Sequence, residues 1–63
     1  MEIILALDIG LKRTGIARSD VLGILVKALK TIETNNIILE LDNIKKDYLL
    51  RKIIIGIPIN LES

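Results

Sequence analysis

The chain contains no cysteine, histidine, tryptophan or phenylalanine, and only one tyrosine and one proline in 63 residues. Without Cys or His there is no disulfide, no thiolate nucleophile, no imidazole base and no zinc centre built on soft ligands. Any metal must be held by oxygen, which favours magnesium or manganese. With Tyr48 as the sole aromatic, there is no platform on which bases could stack. An excess of one charge is also missing: 9 basic and 8 acidic residues leave a net charge of +1, too little to argue a polyanionic partner from charge alone. No apolar run approaches the ~20 residues needed to cross a bilayer. Nor does Met1-Glu2 and one short apolar run make a signal peptide. The expectation is a soluble, cytoplasmic protein with no membrane partner.

What is present is aliphatic, in short blocks. Ile3-Ile4-Leu5-Ala6-Leu7 predicts a strand over 2–8, apolar on both faces and therefore central in a sheet. Gly10 with Lys12-Arg13 marks a turn, with Gly10 free to adopt a positive φ. A second strand is expected over 14–19, a turn over 20–23 and a third strand over 24–32. The period then changes. Ile37, Leu41, Ile44 and Tyr48 share one helical face, Asp42 is placed to pair with Lys46, and Thr34, Asn35 and Asn36 are candidate N-caps. Ile53-Ile54-Ile55-Gly56-Ile57 reads as a fourth strand, ended by Pro58, which cannot donate to a ladder. The predicted order is β-β-β-α-β. A right-handed crossover sets strand four parallel to the meander and carries residues 56–60 towards Asp8.

Chemical content concentrates in Asp8-Ile9-Gly10-Leu11-Lys12-Arg13-Thr14-Gly15-Ile16-Ala17. A carboxylate at the end of a buried strand, followed by a glycine turn, presents itself to a metal ion or a phosphate. Asp20 follows strand two and lies at the far end of the sheet, where it reads as a turn former. Glu62 is not assigned.

This stretch, with Ser19-Asp20 and Gly23, resembles the opening pattern D-x-G-x-K-R-x-G-x-A-x-S-D-x-x-G of the YqgF family. That family is also called Holliday-junction-resolvase-like, or the pre-16S rRNA nuclease family. Gly56-Ile57-Pro58-Ile59-Asn60 is similar to its G-L-P-L-N segment. The resemblance implies an α/β, ribonuclease-H-like fold in which this chain forms the β-β-β-α-β half of a mixed five-stranded sheet. Family members are about twice this length. Residues 1–63 are thus expected to be the N-terminal part of a single, truncated ribonuclease-H-like domain.

The resemblance further implies a hydrolase, a metal-dependent nuclease acting on structured RNA or branched DNA, with 5′-end processing of pre-16S rRNA in ribosome biogenesis as its work. Such enzymes use two Mg2+ or Mn2+ ions about 3.5–4 Å apart. Asp8 is then the catalytic carboxylate and metal ligand, the remaining ligands lying outside the chain. Lys12, Arg13, Arg18 and Asn60 are candidate phosphate contacts, which position a nucleic acid without reading its sequence. Gly10, Gly15 and Pro58 shape the backbone. One alternative is a truncated, non-catalytic remnant that assembles as a homo-oligomer through its exposed 53–57 strand. Another is an actin-like, sugar-kinase-type phosphate-binding fragment; those carry Ser or Thr after the glycine, where this chain has Leu11.

Overall fold

A computed structural model describes residues 2–20, 22 and 24–57. Four strands and one helix follow in order: β1 (Glu2–Ile9), β2 (Arg13–Asp20), β3 (Val26–Glu33), a 3-10 turn over Thr34–Asn36, α1 (Ile37–Asp47) and β4 (Leu49–Gly56). The spatial order is β3-β2-β1-β4. β1 and β2, and β2 and β3, are antiparallel, and β4 joins β1 in parallel. This is the expected β-β-β-α-β arrangement with strand one inside the sheet, an α/β, ribonuclease-H-like fold.

Strand alternation divides β1 cleanly. Ile3, Leu5 and Leu7 are buried, whereas Ile4 and Ala6 are half-buried and Asp8 is exposed. α1 causes the difference. Its stripe of Ile37, Leu41, Ile44 and Tyr48 packs on the odd-numbered face of β1, with Ile44 buried and the other three partly so. The Cα trace is 15 Å deep in its shortest direction, room for one sheet and one helical layer. β1 is therefore central, but among the described residues only one of its faces is covered.

α1 is closed by the Tyr48 N–H donating to the Ile44 carbonyl at 3.0 Å. Glu40 in its first turn and Lys45 and Lys46 in its last complement the helix dipole. The ion pair on α1 joins Glu40 to Lys30 of β3 at 2.9 Å, and Asp42 does not pair with Lys46 among the described residues. Asn36 occupies the N-cap without a side-chain hydrogen bond, and Thr34 is committed elsewhere, as described below.

β4 begins four residues earlier than expected. Leu49 and Leu50 pair with Glu2 and Ile3, and a register shift leaves Arg51 unopposed. Arg51 donates to the Glu2 carboxylate at 2.8 Å. That hydrogen bond, with the charge of Glu2, holds the guanidinium pKa above its ordinary value. Polar residues that read as a lead-in are tolerated here because β4 has no further strand beside it among the described residues and is exposed along nearly its whole length.

Candidate active site

Asp8, one residue before the end of β1, lies on the face that α1 leaves open and is exposed. Both of its sheet neighbours are glycines: Gly15 on β2 and Gly56 on β4. A Cβ on Gly15 would stand 3.9 Å from the Asp8 Cβ. The carboxylate thus rises from a rigid central strand with no side chain on either flank. Behind it the open face forms a hollow of about 530 Å³, floored by Ala6, Ala17, Ala28 and Ile54.

Gly10 shapes the adjoining turn sterically. Its N–H donates to the Arg13 carbonyl at 2.9 Å, and a Cβ on Gly10 would stand 2.7 Å from that oxygen. No left-handed φ is needed, so glycine is required here for close approach rather than for conformational freedom. Gly15 likewise takes no left-handed φ, and a Cβ there would be in ordinary contact.

The turn is fastened to the start of the helical segment through Thr34. Its N–H donates to the Lys12 carbonyl at 2.8 Å, and its hydroxyl donates to the Gly10 carbonyl at 2.8 Å. Because that uses the only hydroxyl proton of Thr34, the Thr14 hydroxyl, 2.9 Å away, is the donor between the two threonines. Thr14 is fully buried. The relay holds the backbone of Lys12 while its side chain and that of Arg13 stay exposed. Arg13 lies two residues along β2 from Gly15 and belongs, by strand alternation, to the same open face as Asp8. Lys12, Arg13, Leu11, Glu33 and Asn35 line a second hollow of about 290 Å³ beside the turn.

The structure therefore brings Asp8, Gly10, Lys12, Arg13 and Gly15 to one end of the sheet. Two other candidates lie away from it. Asp20 pairs with Ile3 at the opposite end, where its carboxylate accepts from the Ile24 N–H at 3.1 Å, as a turn former does. Arg18 is set over the Tyr48 ring, 5.4 Å from its centroid, on the helix-covered face. It is a packing residue there and not a phosphate contact beside Asp8. Pro58 and Asn60, like Glu62 and Gly23, lie outside the described residues. The parallel pairing of β4 brings Gly56 beside Asp8, as the crossover predicts, whereas the role of Thr34 follows from bonds to residues 20 to 24 positions away and has no local signal.

Among the described residues no three Asp or Glu side chains cluster to hold a metal ion. Asp8 offers one carboxylate on the open face, and Glu33, the register partner of Arg13, lies at the same end of the sheet. A two-ion site is not assembled from the described residues. No described helix is long and apolar enough to cross a membrane.

Comparison with known proteins identifies relatives of the chain. A curated protein of Sulfurihydrogenibium sp. (strain YO3AOP1), named "Putative pre-16S rRNA nuclease", is 41% identical over 64 residues, covering 100% of this chain and 44% of the relative. Proteins of the same name from Bacteroides fragilis (strain ATCC 25285) and Caldicellulosiruptor bescii are 41% and 44% identical. They cover 92% and 90% of this chain, and 42% and 43% of their own lengths. The chain thus spans less than half the length of these relatives. No solved structure matches it significantly. The family model described as RuvX, Holliday junction resolvase, matches residues 2–63, and the chain belongs to that family.

Proposed function

We propose that this chain carries the first carboxylate and the phosphate-facing turn of a metal-dependent nuclease, a phosphodiester hydrolase processing the 5′ end of pre-16S rRNA in the cytoplasm. The observation that carries this reading is the exposed Asp8 carboxylate on the central strand, flanked by Gly15 and Gly56 and followed by the Lys12-Arg13 turn. A divalent ion approaching Asp8 meets no neighbouring side chain on either strand. A phosphate held by Lys12 and Arg13 lies at the same end of the sheet. The names of the relatives support RNA as the substrate.

In this reading Asp8 would be one ligand of a Mg2+ or Mn2+ site whose other ligands the described residues do not supply, and such a site would provide Lewis-acid chemistry for phosphodiester hydrolysis. Lys12 and Arg13 fix the backbone of a structured RNA by charge, without base readout. A lone carboxylate binds such ions weakly, so the 63-residue chain is expected to turn over weakly or not at all by itself.

The test is titration with Mg2+ alone, followed by calorimetry, on the wild type and Asp8→Asn. The substitution keeps size and removes charge. Weak binding by the wild type that disappears in the variant, with an unchanged unfolding midpoint, is expected. Equal affinity in both would remove Asp8 as the ligand and the reading with it.

A further inference from the structure

The hollow beside the turn, lined by Leu11, Lys12, Arg13, Glu33 and Asn35, contains a residue that a site for phosphate alone does not explain. Glu33 is the direct register partner of Arg13. The two side chains therefore leave the same face of the sheet, about 4.5–5.5 Å apart at Cβ, yet no ion pair joins them among the described residues. A carboxylate at this position opposes the phosphate that Lys12 and Arg13 attract. It stabilises a ligand only if that ligand offers it a proton, because an ionised carboxylate accepts hydrogen bonds and cannot donate them. Asn35 follows two residues later. Between them Thr34 is fastened through its N–H to the Lys12 carbonyl and through its hydroxyl to the Gly10 carbonyl. Glu33 and Asn35 are thus held against the turn that carries the cations.

We propose that Glu33 and Asn35 read the ribose 2′-hydroxyl beside the phosphate that Lys12 and Arg13 hold, and so make this turn selective for RNA over DNA. The inference rests on the turn being phosphate-facing, as argued above. Spacing selects the sugar. A phosphate on Arg13 brings its own sugar to the next strand, where Glu33 stands. The base lies a sugar's width further off, and the hollow has no ring for it to stack on.

The 2′-hydroxyl is both donor and acceptor. It donates its proton to the Glu33 carboxylate and accepts one from the Asn35 amide. A deoxyribose offers neither, and leaves the Glu33 charge facing a phosphate with nothing in return. Glu33 therefore selects twice, by a hydrogen bond to the right sugar and by repulsion against the wrong one. Across the open face β2, which carries Arg13, lies between β1 with Asp8 and β3 with Glu33. The sugar is read on the opposite side of the phosphate from Asp8, and the selection is independent of whether Asp8 binds a metal.

Fluorescence anisotropy with two hairpins, at low salt and without divalent ions, tests the assignment. One is RNA; the other has 2′-fluorine in place of every 2′-hydroxyl, which keeps the RNA shape and removes the proton. The wild type is expected to prefer the hydroxyl form about tenfold, the net size of one hydrogen bond to a charged group. Glu33→Ala should bring the two within about twofold, chiefly by tightening the fluorinated hairpin, and Asn35→Ala should lower the preference about threefold by weakening RNA alone. Both residues are exposed, so neither substitution is expected to disturb the fold. Lys12→Ala should weaken both hairpins alike and keep their ratio. Equal affinity of the wild type for the two, with Lys12→Ala still weakening both, overturns the sugar assignment and leaves the phosphate-facing turn standing. Binding of neither hairpin, or binding indifferent to Lys12→Ala, overturns the turn and this inference with it. If Glu33→Ala tightens both hairpins equally, Glu33 is a repelling charge only and the proposal fails.

Discussion

Asp8 on β1 and Gly15 on β2 are direct register partners, and a Cβ on Gly15 would stand 3.9 Å from that of Asp8. Ordinary contact at that distance means that alanine fits. A glycine within a strand costs about 0.5–1 kcal/mol relative to alanine, so Gly15→Ala is expected to raise stability by that order. Gly10→Ala should do the opposite. Its Cβ would stand 2.7 Å from the Arg13 carbonyl oxygen, which is backbone and must move, at a cost of about 1–3 kcal/mol. Urea unfolding of the two variants measures both signs. Equal effects would mean that the turn is not closed as described.

The buried threonine relay makes a second prediction. Thr34→Val removes the acceptor of the fully buried Thr14 hydroxyl and the donor to the Gly10 carbonyl. A buried polar group left without its partner costs about 1–3 kcal/mol. Thr14→Val in the same chain should recover part of that loss, because no orphaned hydroxyl then remains. Simple additivity of the two substitutions in a double-mutant cycle would show that the threonines are not coupled.

Nucleic-acid binding gives a third. Lys12→Ala and Arg13→Ala are each expected to weaken binding of a structured RNA to a similar degree whatever its sequence. Each should also lower the slope of log affinity against log salt by roughly 0.7–0.9. Arg18→Ala should leave that slope alone and cost about 0.5–1 kcal/mol of stability through the lost contact with Tyr48. A salt titration that ranked Arg18 with the other two would contradict the separation of the two ends of the sheet.

The core supplies the fourth. Ile44 is buried on the packed face of α1, and Ile38 on the same helix is 73% exposed. Ile44→Ala is expected to cost about 2–5 kcal/mol, enough to unfold a domain this small at 25 °C, whereas Ile38→Ala should stay within about 0.5 kcal/mol. Circular dichroism of the two variants distinguishes them.

The sequence announced these features unevenly, for physical reasons. The helix was legible because Ile37, Leu41, Ile44 and Tyr48 repeat at the helical period, and β1 because its apolar run is unbroken. The same run concealed which face is open: Ile4 and Ala6 are as apolar as Ile3 and Leu5, and only the position of α1 separates them. The start of β4 was hidden because Arg51 and Lys52 look like a connecting segment until the strand is seen to be exposed along nearly its whole length. Asp8 and its turn were visible as a motif. Thr34 was not, since a threonine before two asparagines reads as a helix cap and its true partners, Thr14 and Gly10, are 20 and 24 residues away. Long-range hydrogen bonds leave no periodic trace.

Those same bonds give the turn a mechanical character. Gly10, Thr14 and Thr34 join the end of β1, the start of β2 and the entry to α1 into one clasp. A load applied at Lys12, whose carbonyl accepts the Thr34 amide proton, therefore acts directly on the first turn of the helical segment. A nucleic acid landing on that turn would be registered across the far layer of the molecule. The Thr34 amide is its natural reporter: its hydrogen exchange should slow together with that of Gly10 when the turn is engaged.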